Sequence, residues 1–343
     1  MIPRFRLLIA LLIALVTFTN CSDQESQRRL PRHSGMPGEV LIIMDDKTYK
    51  DAPGDSLRAH LQVFYPQLPQ GEPSFSVLHF NPAQMSKMLQ HHRNIIQVII
   101  GPDAEDQNKI SFQKDKWSNA QLFFKITATD EEAFYNLLNT EFNKVTSLIN
   151  QTEIQRIQSH YRATGNASLQ KKIEEDFGVS LALPADFKIA IEADDFIWIR
   201  RERVKYMGNT PHDITQGIFV FKYPYTSDTA LTQAAALAMR DSVLKQYVPG
   251  PKEDTYMATE YKYDPTSEVL NLNDRYSLLT RGLWKTENYF MGGSFIALTT
   301  LSNDNRDIVS VSGFVFAPKF DKREYTREIE AILRSTTFPE TGS

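Results

Sequence analysis

Cysteine is almost missing from this chain: 343 residues contain a single one, Cys21. One thiol closes no intramolecular disulfide, so neither a disulfide scaffold nor a cysteine-based metal cluster is available. A long apolar run is also lacking. The longest, Leu7 to Val16, is about half the roughly 20 residues that a membrane-spanning helix needs. Nucleotide-binding glycine patterns are absent, with no Gly-x-Gly-x-x-Gly and no Gly-x-x-x-x-Gly-Lys, and so is the Gly-x-Ser-x-Gly elbow of serine hydrolases. Histidine is sparse. The seven, at 33, 60, 79, 91, 92, 160 and 212, include one close pair, His91 and His92, and adjacent residues on a helix point apart, so no metal site is expected. An excess of positive charge is lacking too, with 38 Lys plus Arg against 42 Asp plus Glu, which excludes the basic footprint of a nucleic-acid binder.

What is present begins at the N-terminus. Arg4 and Arg6 precede the apolar run, and Thr17, Phe18, Thr19 and Asn20 follow it, the order of a secretory signal. Cys21 stands where lipoprotein processing leaves a new N-terminus, and the segment resembles a bacterial lipobox, with Phe18 and Asn20 departing from the usual pattern. The alternative is an incidental cysteine in a signal cut elsewhere. Lipidation of Cys21 explains both its number and its place, and makes the N-terminal lipid the contact with the membrane. Removal of 1–20 takes Arg4 and Arg6 from the 38 cations, leaving 36 against 42 acids, a net charge of −6. Residues 21–37, "CSDQESQRRLPRHSGMP", are polar and proline-punctuated and predict a flexible tether.

The folded part is expected to be α+β, two similar units, each a largely antiparallel sheet packed against helices, over 38–165 and 166–338. Val40 to Met44, Phe75 to Phe80 and Ile95 to Ile100 read as strands. Asp130 opens a long helix whose stripe is Phe134, Leu137, Leu138, Phe142, Val145, Leu148 and Ile149. The second half reads as strands at Phe187 to Ala193, "FIWIRRE" and "GIFVFKYPY", then a helix from Thr229 to Tyr247, further strands, and a closing helix from Lys322 to Leu333. The glycines of "MGGSF" predict a bulge or a close backbone approach within a strand.

Polar residues set within apolar or glycine-rich motifs are the candidate ligand or partner cleft: Glu72, Arg93, Arg240, Asp241, Tyr256, Arg281 and Trp284. Guanidinium forks beside Trp and Tyr faces suit a carboxylate, a phosphate or a sugar. The alternative is that the arginines pair with buried carboxylates or cap loop carbonyls between the halves, and that Trp284 is core. No catalytic residue and no cofactor is expected. A rival reading is an envelope hydrolase acting on glycan or peptidoglycan through carboxylates such as Glu72, Asp241 or Glu287.

In order along the chain, "LPQGEPSF", "HHRNIIQV", "FIWIRRE", "RDSVLKQYVPGP", "TYMATE", "RGLW", "FMGGSF" and "GFVFAPKFDKRE" resemble a lipoprotein family of unknown function found in Bacteroidetes, over Gly38 to Leu333. The resemblance implies an envelope location; the chain is expected on the outer membrane as a binding, assembly or structural accessory, with an envelope protein or glycan as partner. It implies no activity, and it leaves open which side of the membrane the protein faces.

Overall fold

The computed structural model describes residues 30–105 and 107–339; the segment read as a signal, and Cys21, lie outside them. The first unit starts with β1 (Glu39–Ile43), buried along almost its whole length, as a strand inside a covered sheet must be. Asp45 caps α1 (Asp46–Lys50) by accepting from the backbone of Lys47 and Thr48, and α2 (Ala52–Leu61) follows directly. β2 (Ser76–Phe80), the one-turn α3 (Lys87–Gln90), β3 (Asn94–Ile100), β4 (Lys109–Lys114) and β5 (Leu122–Ala128) complete a sheet of order β2-β1-β3-β5-β4. The long helix α4 (Glu131–Thr164) lays Phe134, Leu137, Leu138, Phe142, Val145 and Ile149 into its core.

The protein is α+β with two sheet-and-helix units, but the two sheets differ in kind. In the first, β1 pairs in parallel with β2 and β3, and β3 with β5; only β4 runs antiparallel. The antiparallel expectation fails here because helices separate β1 from β2 and β2 from β3, and such crossovers return the chain in the same direction. Residues 31–35 also correct the tether boundary. Arg32 bridges to Asn119 and Ser34 to His92, and the Ser34 amide donates to the His91 carbonyl at 2.8 Å, so this stretch is pinned to the first sheet.

After α5 (Ala167–Phe177) the second unit is fully antiparallel. Its strands β6 (Lys188–Ala193), β7 (Phe196–Met207), β8 (Thr210–Pro224), β10 (Thr266–Leu272), β11 (Arg275–Thr286), β12 (Tyr289–Leu301) and β13 (Asp307–Phe316) order as β10-β11-β12-β13-β8-β7-β6, with the short β9 (Met257–Thr259) on the end of β11. One face packs against α5, the end of α4 and α7 (Arg323–Arg334) through Ile197, Ile199, Ile218, Val311, Ile329 and Ile332. The other face receives α6 (Gln233–Tyr247), which brings Leu237 and Leu244 onto Phe196, Phe219 and Phe221. α6 is shorter than that face, and the strand ends beyond it frame a hollow.

The units meet through α7. Glu72 accepts from the backbone amides of Lys322 (2.8 and 2.9 Å) and Arg323 (2.8 Å), which satisfies the free N–H groups at the start of the helix. Further along α7, the Tyr65 hydroxyl donates to Glu330 at 2.8 Å and Arg327 donates to the Ser74 carbonyl at 2.8 Å. From α4, Gln158 donates to the Ala331 carbonyl at 3.0 Å. Among the described residues no helix is long and apolar enough to cross a membrane.

Candidate functional site

The seven polar residues singled out in the sequence do not share one cleft. Glu72, Arg93 and Arg281 belong to buried polar networks. Arg93 pairs with the fully buried Glu153 of α4 at 2.7 Å, and burial lowers its pKa. Arg281 donates to Glu330 of α7 at 2.6 Å. Burial alone would raise the Glu330 carboxyl, but the guanidinium groups of Arg281 and Arg334 outweigh it and hold the group at about 2.

Arg240 is 1% exposed; its Nε donates to Ser312 at 3.1 Å, its Nη1 to Thr259 at 3.0 Å, and its guanidinium lies 3.8 Å from the Phe295 ring centre. Burial lowers its pKa to about 10. Asp241 accepts from the Thr259 amide (2.9 Å) and hydroxyl (2.7 Å) and from Tyr261 (2.9 Å). With Tyr256, Lys245, Glu260 and Glu287 it lines a polar pocket of about 370 Å³, in which Lys285 lies 2.9 Å from Glu287. Asp241, Tyr256 and Glu287 are therefore brought together, whereas Glu72 of the hydrolase reading is a helix cap in the seam between units.

Trp284 belongs to the same strand pair but lines a different space. β9 pairs with the end of β11 so that Met257 faces Thr286, Ala258 faces Lys285 and Thr259 faces Trp284. The pleat sends Lys285 and Ala258 to the polar pocket, and Met257, Trp284 and Thr286 to the hollow beyond α6. Gly282 lies in regular pairing with Phe295, and the irregularity falls between Lys285 and Thr286, so Arg281 and Trp284 keep to opposite faces.

The hollow has a volume of about 570 Å³. Its floor is aromatic, with Trp198 from β7, Phe314 and Phe316 from β13 and Trp284 from β11; Met257 and Met291 stand beside them, and Val248 to Pro251 form a wall. Trp284 is 2% exposed, donates its Nε1–H to the Val315 carbonyl at 3.1 Å and meets Phe314 edge to face at 5.4 Å. Two glycines let these rings lie flat. A Cβ on Gly293 would stand 2.9 Å from Trp284 Nε1 and run into the Val315 carbonyl; one on Gly217 would stand 2.9 Å from Trp198 Nε1 and run into Phe314. The close approach expected of "MGGSF" is thus the space for the Trp284 indole. Trp198 is 9% exposed and its Nε1 has no hydrogen-bond partner among the described residues.

Polar side chains cluster at the mouth. β7 continues Trp198, Arg200, Glu202 and Val204 along one face, and β8 brings Asp213 and Thr215 opposite them. Arg200 lies 3.3 Å from Glu202 and 5.2 Å from the Trp198 ring centre. Sequence reasoning missed Trp198, Phe314, Phe316, Met257 and Met291 as a group. The alternation in "FIWIRRE" marked a two-faced strand, but nothing local says which part of a face α6 leaves uncovered.

Residues 33–162 match the family described as Domain of unknown function (DUF8532), and residues 166–335 match Domain of unknown function (DUF4837). The chain is thus similar over nearly all its described length to two uncharacterised domains. The first of them holds Tyr65 and Glu72, which reach α7 across the seam, and the second holds the hollow. No curated protein matches the chain. Among solved structures, it is similar to a crystal structure from Bacteroides thetaiotaomicron at 6% identity and a TM-score of 0.26, covering 48% of this chain and 46% of that one. It is also similar to a mutant of the protein Mog1 at 10% identity and a TM-score of 0.29, covering 48% of this chain and 92% of that one. The chain therefore spans less than half the length of the first of these structures.

Proposed function

We propose that this chain is a lipid-anchored binding protein of the cell envelope, held to the outer membrane through Cys21 and taking an apolar ligand into the hollow between Trp198 and Trp284. The observation that carries the binding reading is the hollow itself, about 570 Å³ with an aromatic floor and polar groups confined to its mouth. Phe316 is partly exposed in the hollow, and Trp198, Trp284 and Phe314 lie almost wholly buried beneath it. The anchor rests on the order of charges, apolar run and cysteine in residues 1–21. An envelope protein or glycan at the same surface is compatible with this role.

The hollow is tested with the neutral fluorescent probe N-phenyl-1-naphthylamine. Saturable, blue-shifted emission is expected with the wild-type chain and its loss with Thr215→Trp, which fills the space beside Phe316 without touching the core. Thr215 is partly exposed, and changes at such positions usually alter stability by under about 0.5 kcal/mol, so the melting temperature should hold. Equal binding by both proteins, or by neither, would overturn the site. For the anchor, metabolic labelling with a fatty acid should mark the wild type and leave Cys21→Ala exported, unlabelled and detached from membranes. Equal incorporation in both would end the lipoprotein reading.

A further inference from the structure

Resting on the hollow as a ligand site, we infer that its ligand is a zwitterionic amphiphile, an apolar chain or ring that carries an anionic and a cationic group side by side. The interior asks for an apolar body: Trp198, Trp284, Phe314 and Phe316 form the floor, and Met257 and Met291 are side chains that adapt to varied shapes. The mouth asks for both signs of charge. β7 and β8 pair Glu202 with Thr215 and Val204 with Asp213, so the two carboxylates are diagonal neighbours on the face that borders the hollow, about 7–8 Å apart between backbones. Arg200 is the cation on that face. Arg203 also borders the space, but it is engaged with Gln216 and Glu328 towards α7. Asp213 makes no ion pair among the described residues, and Arg200 is held only by Glu202 at 3.3 Å.

A purely anionic head group placed there would meet Glu202 and Asp213, and a purely cationic one would meet Arg200. A head group with both charges satisfies the guanidinium on one side and the unpaired carboxylate on the other, which gives selectivity through the mismatches it avoids.

The test uses the full chain and four ligands sharing a dodecyl chain, each below its micelle concentration: dodecylphosphocholine, laurate, dodecyltrimethylammonium and dodecyl maltoside. Calorimetry and tryptophan emission should show dodecylphosphocholine binding at least about tenfold tighter than the other three. Arg200→Gln and Asp213→Asn, both at exposed or half-exposed sites, should reduce it to the affinity of the maltoside while leaving N-phenyl-1-naphthylamine binding unchanged. Co-sedimentation with phosphatidylcholine vesicles then separates a bilayer lipid from a free amphiphile of the same chemistry. Equal affinity for all four heads, or tightest binding of laurate or dodecyltrimethylammonium, would overturn the zwitterion inference and leave the hollow standing. Failure of all four together with the naphthylamine probe would overturn both.

Discussion

Replacing Trp284 with alanine should cost about 3–5 kcal/mol and bring the second unit close to unfolding, the usual consequence of removing a buried tryptophan. The indole is 2% exposed, and it joins β11 to β13 through its hydrogen bond to the Val315 carbonyl and its edge-to-face contact with Phe314. Gly293 has been left without a side chain at the spot where a Cβ would meet the ring. An alanine leaves both a void and an unpaired carbonyl, while Trp284→Phe refills most of the volume and loses the hydrogen bond, so it should cost distinctly less. Urea unfolding followed by circular dichroism gives both values. A Trp284→Ala protein as stable as the wild type would mean that the ring is a surface platform and that the hollow is far more open than its lining shows.

Glu330→Gln should destabilise the protein by about 3–5 kcal/mol, because a buried ion network that loses one partner keeps uncompensated charge. Glu330 is 1% exposed and accepts from Arg281 at 2.6 Å, Arg334 at 2.7 Å and the Tyr65 hydroxyl at 2.8 Å. Glutamine keeps the shape, but removes the charge that both guanidinium groups face. The same carboxylate sets an acid limit. Its pKa is about 2 when folded against 4.5 for the free group, so its stabilisation is complete above about 4.5 and is lost as the pH falls towards 2. The stability of the wild type should therefore decline across that window, and the gap between it and Glu330→Gln should close there. A constant gap from neutral pH down to 2 would show that the effect of the variant is packing and not charge.

Glu330 also shows where local reading of this chain stops. "REIEAILR" is visibly a helix, and its acidic and basic residues look like an ordinary solvated face. The helix is instead wedged between the two units. Its charged positions meet Tyr65, some 265 residues away in the chain, and Arg281 on a strand of the second sheet. Glu72 is the same case in reverse: a polar residue in a proline-flanked loop looks available for a ligand, and it turns out to cap α7 across the seam. Periodicity reports whether a face is apolar. It carries no record of which distant element covers that face.

The lack of an internal disulfide, the strands of the second unit and the stripe of α4 were all determined by the residues themselves, because hydrophobic alternation and helix caps act over a turn or a few residues and a lone thiol has nothing to pair with. The direction of strand pairing in the first sheet, the pinning of residues 31–35, the separation of Asp241 and Trp284 into different pockets, and the hollow itself were decided only by tertiary structure. A strand's apolar pattern is the same whether its neighbour runs parallel or antiparallel, and an uncovered stretch of sheet exists only once the length and position of the helix laid against it are fixed.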